Sequence, residues 1–151
     1  MAFAANRCDQ SAEVVEPWLN RSSGSIVVAD RHIGSGLAYQ MLDGLDGEWL
    51  MAINRNVRLP DLVLFVDTPP EMCRRRMGER GASRELFEER LPATREAFAG
   101  ALQLLQRIGI DVQRIDGSLD ADDVCSCALQ AVERILPEAL GSVATSDRAG
   151  A

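Results

Sequence analysis

Five consecutive apolar residues, Leu62-Val63-Leu64-Phe65-Val66, stand between Pro60-Asp61 and Asp67-Thr68-Pro69-Pro70. Branched and aromatic side chains suit a pleated strand, and the flanking prolines bar a helix from absorbing the run. An apolar run with no polar residue at alternate positions predicts a strand covered on both faces, as in a parallel sheet. Ser25-Ile26-Val27-Val28-Ala29 reads as an earlier buried strand, and Val112 to Ile115 as a later one.

Helical spacing fills the intervals. Residues 2 to 20 form one predicted helix with Val14, Val15, Trp18 and Leu19 on a stripe, and Pro17 should bend its last turn. Leu42 to Val57 is a second, with Trp49, Leu50 and Ile53 as its apolar face. Pro70 suits a helix first position and Glu71 the positive end of the dipole; that helix runs to about Arg80 and stops at Gly81. A long helix at Thr94 to Arg107 presents Ala97, Phe98, Ala101, Leu104, Leu105 and Ile108, and Gly109 ends it. Asp120 with Asp123 caps a last helix carrying Val124, Cys127, Ala128, Ala131, Val132 and Ile135. The order is helix, strand, helix, strand, helix, helix, strand, helix. It predicts a three-layer α/β/α domain with a parallel sheet over residues 1–140, followed by a disordered tail at 141–151.

Composition narrows the function. The 151 residues carry a net charge of -7, which leaves no basic surplus for nonspecific nucleic-acid binding. No run of 18 apolar residues predicts a membrane span and no signal peptide is read, so the expected location is cytoplasmic. Cys8, Cys73, Cys125 and Cys127 lack metal-ligand spacing, and no metal site is expected of the chain itself. The bland reading of all four is as small buried hydrophobes in a reducing compartment. All 16 basic residues are arginine. With no lysine, the chain cannot carry a G-x-x-x-x-G-K-[ST] phosphate loop.

The chemistry gathers after the Ser25–Ala29 run, where Asp30-Arg31-His32 leads into Ser35-Gly36 and Ala38-Tyr39-Gln40. Open α/β sheets bind ligands beyond the carboxyl ends of their strands, and an arginine fork there suits a phosphate. Near the N-terminus, Phe3 and Arg7 are four residues apart and share a helix face.

DRHIGSGLAYQ resembles the DR(Y/H)xxSxxAYQ block of thymidylate kinases, and Phe3-Ala4-Ala5-Asn6-Arg7 resembles that family's F(A/S)A(N/D)R helix. Pro60-Asp61-Leu62 through Glu71 is similar to its PD(L)xxxLDxxPE block, which is architectural. Arg76 and Arg80-Gly81, with Glu85-Leu86-Phe87-Glu88, look like its RxxxRG lid and the element beyond, although Leu86 replaces the family's arginine and the lid is short. Ile115-Asp116-Gly117-Ser118 is similar to the turn beside the adenine. The resemblance spans roughly residues 1 to 140.

This resemblance implies a P-loop NTP hydrolase-like fold without its N-terminal central strand. It implies that ATP with Mg2+ phosphorylates dTMP to dTDP. Arg31 would grip the acceptor phosphate and Asp30 would lie near the magnesium. Phe3 would stack on thymine and Arg7 hydrogen-bond it. Ser35, Gly36, Tyr39, Gln40 and Phe87 would line the nucleoside site, while Arg76 and Arg80 contact ATP phosphates. His32 is expected to stand where the family has tyrosine, without catalytic duty. A homodimer through Val14, Val15, Trp18 and Leu19 is likewise implied.

Without a phosphate loop, the expectation is an N-terminally truncated kinase that is inactive alone. The alternatives are a non-catalytic nucleotide-binding or dimerisation module, or another P-loop nucleoside or nucleotide kinase.

Overall fold

The computed structural model describes residues 2–22, 24–79 and 91–136, with side chains omitted at 77–79. Helical periodicity resolves into α1 (Ala2–Gln10), which passes through a π-helical turn at Ser11–Val15 into α2 (Glu16–Leu19). There follow α3 (Ile33–Leu42), α4 (Gly47–Ile53), β1 (Leu62–Asp67), α5 (Pro70–Glu79), α6 (Leu91–Arg107), β2 (Asp111–Asp116) and α7 (Ala121–Ile135).

β1 and β2 run parallel, with Leu62 opposite Asp111 and Asp67 opposite Asp116. The period of two places Val63, Phe65 and Val112 on one face and Leu64, Val66, Gln113 and Ile115 on the other. α6 covers the first face, where Phe98 stacks on Phe65 with ring centroids 5.7 Å apart. α7 covers the second, where Ala131 is buried and Arg134 donates to Gln113 Oε1 at 2.9 Å. Helices therefore flank a parallel sheet in an α/β/α arrangement. The cover is thinner than the apolar run implies, since Leu64 and Val66 remain exposed beside α7.

Ser25–Ala29 is not a strand. It is irregular and joins no sheet among the described residues, and Val28 is 91% exposed. An apolar run has strand character only where a neighbour takes up its N–H and C=O groups, and pairing is a tertiary matter. The expected helix at Leu42–Val57 is also replaced. α3 ends earlier, the chain reverses at Gly44 with φ +88°, and α4 starts where Asp46 accepts from Trp49 N at 2.8 Å. α3 itself was not foreseen, because Gly34 and Gly36 each lower helix propensity by about 1 kcal/mol. Burial of Ile33, Leu37 and Ala38 overrides that cost.

Other expectations need smaller corrections. The single helix over 2–20 is interrupted by the π turn just before Pro17, whose ring conflicts with the carbonyl four residues back; a wider turn eases that conflict. Ile108 is exposed, since α6 ends before it and Gly109, at φ +89°, turns the chain. On α7, Cys125, Cys127 and Ile135 are exposed, so neither cysteine is a core residue. The Asp120 cap forms as expected, accepting from Asp123 N at 2.9 Å. Gly81 and the tail from 141 lie outside the described residues.

Ile33, Leu37, Leu50 and Leu105 are fully buried and form the centre of the core with Ala38, Ala101 and Ile110. Leu105→Ala is expected to cost about 2–5 kcal/mol in urea unfolding. Val28→Ser is expected to stay within about 0.5 kcal/mol of the parent, as an exposed residue should. A large loss from Val28→Ser would show that the Ser25–Ala29 segment is buried after all.

Candidate functional site

Asp30 and Arg31 occupy an exposed turn between the irregular Ser25–Ala29 segment and α3. Arg31 has φ +56°, the one non-glycine in the left-handed region among the described residues. That conformation costs about 1–3 kcal/mol and collects at functional sites. Here it accompanies a guanidinium 5.9 Å from the centre of the Tyr39 ring. α3 starts two residues later, and His32 provides no side-chain cap for its first-turn N–H groups. Arg31 thus stands at the positive end of an uncapped helix.

Tyr39 lies one turn and a half along α3, half out of solvent. Its ring meets Phe98 of α6 edge to face at 5.7 Å, and Phe98 stacks in turn on Phe65. Arg114 lies 5.7 Å over the far side of that column. Asp67, whose side chain is 11% exposed, accepts from Arg95 at 2.9 Å and faces Arg114 at 3.5 Å. The carboxylate is therefore committed to two arginines at the end of β1.

A second group joins α1 to α3 and α4. Arg7 is 8% exposed and donates through Nε and Nη2 to Asn54 Oδ1, at 3.0 and 2.8 Å. Asn54 Nδ2 donates to Leu50 O at 2.7 Å. A Cβ added at Gly36 would stand 2.6 Å from Arg7 Nη1, so only glycine admits the guanidinium there. One turn on, Ser11 Oγ donates to Arg7 O at 2.8 Å and accepts from Arg58 N at 3.1 Å. Burial pushes the Arg7 guanidinium below its ordinary value. His32 Nε2 is buried without a partner among the described residues, and its imidazole is pushed down chiefly by burial and secondarily by the Arg7 charge.

The structure brings together Arg31, Tyr39, Gly36 and Arg7, all on or against α3. Ser35 Oγ donates to His32 O at 3.4 Å, and Gln40 Nε2 donates to Gly36 O at 2.8 Å within its own helix. Phe3 is 69% exposed and shares no buried face with Arg7. Arg76 is apart, on α5, where Nη2 donates to Leu119 O at 3.4 Å, and neighbouring Arg74 faces Glu71 at 3.6 Å. Arg80 and Phe87 lie outside the described residues. The turn at Ile115–Ser118 closes by Ser118 N donating to Asp116 Oδ1 at 2.8 Å, and the Asp116 carboxyl is lowered first by the Ser118 side chain and then by that backbone N–H.

Asn54 and Phe98 were missed as site residues. Asn54 had a signal: it is the polar member of a helical stripe with Leu50, Ile53 and Val57. Among the described residues no three His, Cys, Asp or Glu side chains could hold a metal, and no helix is long and apolar enough to cross a membrane.

Residues 1–126 match the family model described as thymidylate kinase. A probable thymidylate kinase of Thermococcus onnurineus is 30% identical over 90% of this chain and 64% of its own length. The probable thymidylate kinase of Pyrococcus abyssi is 37% identical over 70% of this chain and 50% of its own. A thymidylate kinase of Xylella fastidiosa is 33% identical over 87% of this chain and 60% of its own. The chain thus spans between half and two thirds of the length of these relatives.

His32 is the only histidine and has a depressed folded pKa. Its contribution to stability is complete above the unfolded value, near 6.5, and is lost as pH falls through the lower folded value, because the unfolded chain takes up the proton first. His32→Gln is therefore expected to unfold with a shallower loss of urea stability between pH 7.5 and 5.5 than the parent. Superimposable profiles would show that the imidazole titrates as in the unfolded chain.

Proposed function

Since the chain belongs to the thymidylate kinase family, we propose that the surface of α3 facing Arg31, Tyr39 and Arg7 is an acceptor site for dTMP. The reaction of the whole enzyme would be transfer of the ATP γ-phosphate to dTMP, giving dTDP. The observation that carries this reading is Arg31, held in a left-handed turn at the uncapped start of α3 and over the Tyr39 ring. An anion placed there meets a bidentate guanidinium and the helix dipole together. Tyr39 offers its half-exposed ring to the sugar and base, and Arg7 with Gly36 closes the far end. Ser35, Gln40, Phe3 and Phe87 are the further nucleoside contacts of this reading.

Phosphoryl transfer is mostly positioning and charge neutralisation. Asp30 is the carboxylate next to Arg31 and would lie beside magnesium carried by the ATP phosphates. The described residues do not converge on a cation of their own, and no step is assigned to one. Arg76 and Arg80 are the proposed ATP-phosphate contacts, and Arg76 would have to leave its bond to Leu119 O to serve. Val14, Val15, Trp18 and Leu19, of which Val14 and Trp18 are about half exposed, are the proposed homodimer contact, and the proposed location is cytoplasmic.

A second reading is favoured by one observation. The 151 residues contain no lysine, so no loop of the G-x-x-x-x-G-K-[ST] type lies within them. On its own the chain would then be a nucleotide-binding module without turnover. The two readings share the acceptor site. Another nucleoside or nucleotide kinase activity fits less well, given the Ala38-Tyr39-Gln40 block.

Titration calorimetry with dTMP tests the site. A charge-assisted bond is worth about 1.5–3 kcal/mol, so Arg31→Ala is expected to weaken binding by about tenfold or more. Equal affinity would remove Arg31 from the site. In a coupled ADP-release assay with ATP, magnesium and dTMP, the 151-residue chain is expected to show no turnover. A rate near one per second, at the low end for enzymes, would refute the module reading.

A further inference from the structure

We propose that Asn54 is a positioning residue that aims Arg7, and through it sets which pyrimidine the acceptor site takes. This rests on the reading of Arg7 and Arg31 as acceptor ligands, and goes beyond it in naming the group that fixes Arg7.

The argument starts from the donor inventory of a guanidinium. It carries five N–H donors and no acceptor. Asn54 Oδ1 occupies Nε and Nη2, at 3.0 and 2.8 Å, which fixes the plane and the roll of the group. The third nitrogen, Nη1, lies on the side of α3, in the space that a Cβ at Gly36 would need. Asn54 is in turn fixed: it is 1% exposed, and its Nδ2 donates to Leu50 O at 2.7 Å, which settles which atom of the amide faces Arg7. Neither end of the pair can swing without losing a buried hydrogen bond.

The backbone beneath Arg7 is held as firmly. Ser11 Oγ joins Arg7 O to Arg58 N, so α1 is clipped to the chain after α4 one turn away. The choice of a neutral partner also has a consequence. Aspartate at 54 would cancel the Arg7 charge, whereas asparagine orients the guanidinium and leaves its positive charge for a ligand.

A fixed donor with no acceptor capacity discriminates by chemistry. It rewards a ring carbonyl and leaves an exocyclic amino group facing another donor. Thymine and cytosine differ in that respect at ring position 4. Sites built on such a bond reject the mismatched ring because buried polar groups are left unpaired. A loosely held arginine would rotate away and discriminate little.

The test is the ratio of dTMP to dCMP affinity, measured by titration calorimetry on the 151-residue chain. The wild type is expected to favour dTMP. Asn54→Leu is expected to reduce that ratio by about tenfold or more. Asn54→Asp, which still offers an oxygen to Nε and Nη2, is expected to keep the ratio even if both affinities fall. A purely structural role would weaken both nucleotides together and leave the ratio unchanged. Should Asn54→Leu fail to fold, Gly36→Ala displaces Nη1 without touching Asn54, and the ratio is expected to fall likewise.

An unchanged ratio in folded Asn54→Leu overturns the proposal. So does an unchanged ratio in Gly36→Ala when the leucine variant does not fold, or a wild type that binds both nucleotides equally. A collapse of the ratio in Asn54→Asp matching that in Asn54→Leu also overturns it. Arg31→Ala separates the two claims. If it leaves dTMP affinity unchanged, or the wild type binds no dTMP, the acceptor site itself is wrong and the inference falls with it. If binding depends on Arg31 while the ratio never moves, only the role of Asn54 is wrong.

Discussion

The packing of α3 against α6 is the constraint on which the rest of the molecule depends. Ile33, Leu37 and Ala38 from one helix meet Ala101 and Leu105 from the other, and Leu50 of α4 closes the same cluster. Each fully buried leucine or isoleucine contributes about 1.5–3 kcal/mol, more than enough to offset two helix glycines in α3. Tyr39 and Gly36 lie on α3 outside this cluster, Tyr39 against Phe98 at its edge. Core packing thus fixes the position of the candidate ligand groups without using them.

α1 is attached by a different force. Its buried residues are Ala4 and Arg7, with Ser11 just beyond, so the contact with α4 is largely polar. A buried guanidinium with a neutral partner is costly to desolvate, and each hydrogen bond from a charged donor returns about 1.5–3 kcal/mol. Packed hydrophobic residues would hold α1 with less exposure to error. The joint fixes the plane of the guanidinium through Asn54 and leaves Nη1 against Gly36. His32 Nε2, which has no partner among the described residues, belongs to the same polar strip.

The aromatic column carries position from the sheet to the site. Phe65 on β1 stacks on Phe98, Phe98 meets Tyr39, and Arg31 lies over Tyr39. Asp67, at the end of the same strand, ties Arg95 of α6 and Arg114 of β2 together. Aromatic pairs of this kind add about 0.5–1.5 kcal/mol beyond their buried area. Their larger effect here is geometric, since they register the ring of Tyr39 against the rigid end of the sheet.

The sequence by itself determined β1, the start of α5 at Pro70, the cap of α7 at Asp120 and the end of α6 at Gly109, because each depends on local chemistry. Proline geometry, a capping carboxylate and a glycine that accepts positive φ act within a few residues. The resemblance of two motifs to thymidylate kinase blocks also marked Arg31, Gly36, Tyr39 and Arg7 as candidate ligand groups. Tertiary structure alone decided that Ser25–Ala29 pairs with no strand among the described residues, that α3 is a helix, and that Arg7 meets Asn54. A strand needs a partner lane, a glycine-bearing helix needs a face to bury, and a buried guanidinium needs an acceptor 47 positions away in the chain. Those requirements are met by neighbours in space, and no local pattern records who they are.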